Sequence, residues 1–106
     1  LMLYWQATQP LDTNYSVFVQ IIDLKDFHRA GQQDGQPGCG AYPTKTWLPG
    51  DLIADHYTIP IANDARPGTY TLLTGMYIDD ERLDVHTDDG QAEGNQIELT
   101  QLQVDS

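Results

Sequence analysis

From Tyr15 to Leu24 the chain is apolar in both phases of a two-residue period. Tyr15, Val17, Val19 and Ile21 fall on one side, and Phe18 and Ile22 fall with Ser16 and Gln20 on the other. Successive side chains of a strand point to opposite faces, so this segment predicts a strand at the centre of a sheet, covered on both sides. That requirement shapes the rest of the reading, because a central strand needs neighbours along both edges and a second layer over at least one face.

The same period recurs elsewhere. Leu1, Leu3, Trp5 and Ala7 share one phase, as do Tyr70, Leu72, Thr74, Met76 and Ile78. Pro49-Gly50-Asp51 precedes a strand pattern at 52–59, and Pro67-Gly68-Thr69 precedes the one at 70–78; Pro followed by Gly marks a turn. The segment 82–86 carries Leu83 and Val85 in one phase. Within 96–104, Ile97 and Leu99 are out of phase with Leu102 and Val104, and a bulge near Thr100 and Gln101 restores the register. Residues 25–46 are rich in Gly and Pro, and predict only a short edge strand at 27–30 followed by a long loop. No segment combines a helical apolar stripe with caps.

About seven turn-punctuated strands predict an all-β fold, an antiparallel immunoglobulin-like β-sandwich, as a single domain over residues 1–106. Pro67-Gly68-Thr69-Tyr70 is similar to the start of a late strand in such sandwiches, where a Tyr packs across the corner between sheets. Leu1 opens directly into a strand pattern, so the expectation is a domain excised from a longer protein, with a further edge strand upstream or missing.

Charge excludes several partners. With five Lys and Arg against sixteen Asp and Glu, the formal net charge of the 106 residues is −11. Such a chain builds no basic groove for nucleic acid and is repelled by anionic lipid. No run of residues reaches the roughly 18 apolar positions of a membrane span, so no direct membrane insertion by this segment is expected. The N-terminus lacks the basic-then-apolar pattern of a signal peptide. Cys39, the one cysteine, permits neither an intrachain disulfide nor a Cys-rich zinc site.

Candidate chemistry is sparse. Ser16 and Ser106 are the serines, and neither sits in a nucleophile elbow. No phosphate loop is present, and no spacing singles out a carboxylate pair. His28, His56 and His86 each have an Asp nearby but lack tight metal-ligand spacing. Between positions 79 and 93 lie seven acids, opposed by Arg82. Asp79, Asp80, Asp88 and Asp89 are candidate calcium ligands, because hard cations take clustered oxygens, although no EF-hand frame fits and solvated turns explain the run equally well. Tyr4, Tyr42, Trp47, Tyr57 and Tyr77 are candidates for a glycan platform, Tyr42, Trp47 and Tyr57 foremost, since flat apolar faces with polar tips suit both stacking and hydrogen bonding. No catalytic residue and no cofactor other than calcium is expected.

Four blocks together resemble a known domain: Leu-Met-Leu-Tyr-Trp-Gln-Ala at 1–7, Pro-Leu-Asp-Thr-Asn-Tyr-Ser-Val-Phe-Val-Gln at 10–20, Ala-Tyr-Pro-Thr-Lys-Thr-Trp-Leu-Pro-Gly-Asp at 41–51, and Pro-Gly-Thr-Tyr at 67–70. The resemblance is to a bacterial domain near the C-terminal end of multi-pass membrane proteins of the dolichyl-phosphate-mannose-protein mannosyltransferase type. It covers most of the chain, and Tyr-Pro-Thr-x-x-Trp-x-Pro-Gly is its most specific block. It implies a noncatalytic, extracytoplasmic β-sandwich appended to a membrane glycosyltransferase. The expected partners are then a glycan, the membrane part of the parent chain or a neighbouring subunit; the alternatives are a purely structural module without ligand and a calcium-stabilised interaction domain. Residues 25–40 and 79–93 depart from the pattern of that domain.

Overall fold

The computed structural model describes residues 1–87 and 93–104. In chain order it contains β1 (Met2–Trp5), β2 (Ser16–Asp23), β3 (His28–Gly35), two short 3-10 turns (Pro37–Gly40 and Thr44–Thr46), β4 (Ile53–His56), β5 (Gly68–Ile78), β6 (Glu81–Leu83), β7 (Val85–His86), β8 (Glu93–Gly94) and β9 (Ile97–Val104). All the pairings are antiparallel. The domain is all-β.

β2 is central, as its two apolar phases require. It pairs with β3 on one side and β5 on the other, and the far edge of β5 is shared by β9 and β6. Val17, Val19 and Ile21 join Tyr70, Leu72 and Met76 on one face of this five-stranded sheet. The two-stranded sheet β1–β4 covers that face, contributing Leu3 and, just beyond β4, Tyr57 to the same buried cluster. On the opposite face Phe18, Ile22 and Leu73 form a smaller buried cluster with Tyr77 against it.

The phase change at the end of the chain is a bulge. Leu72 faces Thr100 while Leu73 faces Glu98, so Leu99 is the extra residue, and Ile97 and Leu102 thereby reach the same face. A second bulge leaves Ala30 unmatched between Gly31 and Arg29 in β3.

Residues 25–46 correct the sequence reading. β3 is a full edge strand of eight residues rather than a short piece at 27–30. A tight turn sets it: Phe27, at φ 62°, donates its N–H to the Asp23 carbonyl, while the side chains of Asp23 and Asp26 accept the N–H groups of Lys25 and His28. Once the turn fixes register, the ladder to β2 carries Gln and Gly residues that have little strand preference of their own. Gly31 also has a packing reason, since a Cβ there would stand 2.8 Å from the Pro60 carbonyl oxygen. The strand expected at 52–59 shortens to β4, and its tail instead crosses β3, where Ala62 donates its N–H to the Ala30 carbonyl. The segment 82–86 divides between β6 in the large sheet and β7, which pairs with β8.

Candidate functional site

Among the described residues, β1 is held along one edge only. Leu1 and Tyr57 exchange both backbone bonds, at 2.9 and 2.8 Å, and Gly50 donates to the Ala7 carbonyl at 3.1 Å. Bonding alternates along an antiparallel strand, so the N–H and C=O groups of Leu3 and Trp5 also point to β4. Those of Met2, Tyr4 and Gln6 point the other way, and no described strand pairs with them.

Beyond that edge the second layer stops. The β1–β4 sheet covers only part of the larger sheet, and residues 57–62 cover the β3 side. Toward β9 and β6 the core face is left with a cleft of about 690 Å³, within the ordinary range for ligand sites. Met76, Leu83 and Ile97 line it from the large sheet, and Trp5 and Leu11 from the β1 side. Val85, Leu99, Asp84 and His86 also line it.

The cleft has a negative bias. Among the described residues no Lys or Arg lines it, whereas Asp84 does. Arg82, the one base of the acidic run, faces away: its partner Tyr77 lies on the opposite face of β5, and its guanidinium sits 4.5 Å from the Phe18 ring centre and donates to Gln96. Arg66 is paired with Asp26 on the surface near the β2–β3 turn. The hydrogen bond from Arg66 holds the Asp26 carboxyl below its ordinary range, helped by the His28 N–H, and raises Arg66 in turn.

The residues expected to hold glycan are placed apart in function. Tyr42 is 51% exposed, but Trp47 and Tyr57 are only 5% and 7% exposed and belong to the main buried cluster. Large aromatic side chains gain most by burying their faces, and their polar tips are satisfied internally. Trp47 Nε1 donates to the Tyr42 carbonyl at 2.8 Å, and the Tyr57 hydroxyl donates to Asp55. The three rings therefore share no open platform. Of the calcium candidates, Asp79 and Asp80 form the exposed turn between β5 and β6, with Asp79 at φ 51°. Asp88 and Asp89 lie outside the described residues. Among the described residues no group of three or more His, Cys, Asp or Glu is placed to hold a metal ion. His28, His56 and His86 are on β3, β4 and β7.

The block 42–50 fastens the scaffold. Buried Thr44 accepts the Tyr15 N–H and donates to the Thr13 carbonyl, Asn14 accepts the Lys45 N–H, and Gly50 is bonded to both Ala7 and the Gln6 side chain. These contacts set the position of β1, and so of the cleft. Asp55, which the sequence suggests only as the carboxylate near His56, instead accepts from the Gly38 N–H at 2.8 Å, Tyr57 at 2.5 Å and Trp5 Nε1 at 3.3 Å. A signal for it was present: Asp55 shares the strand phase of Ile53 and Tyr57, which puts an acid on the inward face.

No described helix is long and apolar enough to cross a membrane. Comparison with family models, curated proteins and solved structures finds no match.

Proposed function

We propose that this chain is a noncatalytic accessory domain of immunoglobulin-like sandwich architecture, carried on the extracytoplasmic face of a bacterial membrane by a glycosyltransferase-like parent. Its role is to hold another molecule in the cleft beside β1. The observation that carries the binding role is that cleft: a hollow with Met76, Leu83 and Ile97 in its lining, bordered by a strand edge whose alternate backbone groups have no strand partner among the described residues. The immunoglobulin-like reading is supported by Tyr70, whose buried ring sends its hydroxyl to the Arg66 carbonyl at 2.8 Å, the backward bond of a tyrosine corner. The parent context rests on the four sequence blocks that resemble the mannosyltransferase-associated domain.

Methyl-detected NMR of the 106-residue chain tests the binding role. Soluble oligosaccharides and extended peptides are titrated in turn while the methyl signals of Leu83, Val85, Ile97 and Leu99 are followed. Movement of these signals by either class of ligand is the expected result. Signals that stay still with both classes contradict a binding role and favour a purely structural module.

A further inference from the structure

We propose that the cleft takes an extended polypeptide segment as an added strand along β1, apolar at alternate positions and flanked by Lys or Arg. This deepens the reading above and rests on it. Three features of the cleft specify such an occupant.

The first is the edge itself. N–H and C=O groups at Met2, Tyr4 and Gln6 with no partner strand among the described residues recur every second residue, the repeat along which a neighbouring strand bonds. A sugar has no matching ladder of donors and acceptors. β3 is also an outer strand, but its edge is interrupted by the bulge at Ala30, whose carbonyl already accepts from Ala62.

The second is the floor. A strand added about 4.8 Å from β1 would enter the cleft that Met76, Leu83 and Ile97 line. Its inward side chains, every second one, meet that aliphatic surface while the others face solvent. The stretch from Met2 to Ala7 is about 20 Å long when extended, enough for five or six residues of a partner.

The third is charge. Asp84 borders the cleft, no Lys or Arg lines it among the described residues, Arg82 is engaged on the other face, and the whole chain carries −11. Such a field speeds and selects cationic partners and repels a second copy of this acidic chain.

The test uses a nonapeptide of sequence Lys-Lys-Val-Thr-Val-Thr-Val-Lys-Lys, titrated into the 106-residue chain. Three comparisons accompany it: the same peptide N-methylated at alternate residues, a version with Glu flanks, and the Tyr4→Pro protein. Tyr4→Pro removes an N–H that faces away from β4, a position where an edge strand tolerates Pro, so the fold is retained and amide dispersion reports that directly. The lysine peptide is expected to shift the amide signals of Met2, Tyr4 and Gln6, with affinity falling about tenfold or more in each comparison. Equal binding of the methylated or Glu-flanked peptide overturns the proposal, as does a concentration-dependent dimer through β1. If the peptide leaves the cleft signals unmoved while an oligosaccharide shifts them, the strand proposal falls and the accessory-binding role stands. If neither ligand shifts them, both fall.

Discussion

The hydroxyl of Tyr57 donates to Oδ2 of Asp55 at 2.5 Å, and the same carboxylate, 1% exposed, receives the Gly38 N–H and the Trp5 indole. One side chain thus joins β4, the turn at 37–40 and β1. Asp55→Ala takes the acceptor from three donors at once and is expected to cost about 3 kcal/mol. Asp55→Asn keeps the shape but turns an amide donor toward one of the donors, and about half that loss is expected. Urea unfolding measures both. A change below about 0.5 kcal/mol for the alanine variant would remove Asp55 from this role.

Gly75 lies against Phe18 on the outer face. A Cβ at this position would stand 2.5 Å from the Phe18 ring and 2.8 Å from the Asn95 carbonyl oxygen. The ring is itself held between Tyr77 and the Arg82 guanidinium, so it has little room to move. Gly75→Ala is expected to destabilise by about 2 kcal/mol, the scale of an overpacked site. An unchanged melting temperature would contradict this packing.

The Tyr77 hydroxyl donates to Asp34 at 2.8 Å, across the β2–β3–β5 portion of the sheet. That hydrogen bond, with burial second, raises the Tyr77 ionisation above its ordinary value of 10.0. A raised folded-state value favours the neutral phenol, so the associated stability is complete below pH 10.0 and is lost as pH rises through the raised value. In ultraviolet titration the Tyr77 phenol should ionise late, and Asp34→Asn should bring it back toward the ordinary value of 10.0. A titration unaltered by Asp34→Asn would mean that the bond does not persist in solution.

Strand existence was legible wherever apolar residues alternate, as in β2 and β5, because one two-residue period both forms the strand and builds the core. The bulge in β9 was legible for the same reason: Ile97 and Leu102 reach one face only if a residue is inserted between them. β3 was not legible, since its Gln and Gly residues are made a strand by the turn at 23–27 and by the β2 ladder, which are tertiary constraints. The candidate site divides in the same way. Ring chemistry alone nominates Tyr42, Trp47 and Tyr57, and burial of the last two depends on packing that residue type does not encode. The cleft arises where one sheet is narrower than the other, a property of topology with no local sequence mark. Asp55 alone carried a local signal, an acid in an inward strand phase.

The central claim is that β1 presents an unpaired edge to the cleft, and amide hydrogen exchange of β1 tests it most directly. The amides of Leu3 and Trp5, bonded to β4, should exchange slowly, while those of Tyr4 and Gln6 should exchange fast and become protected when the lysine-flanked peptide is added. Slow exchange of Tyr4 and Gln6 in the free protein would contradict the claim, because it would mean that the edge is already paired.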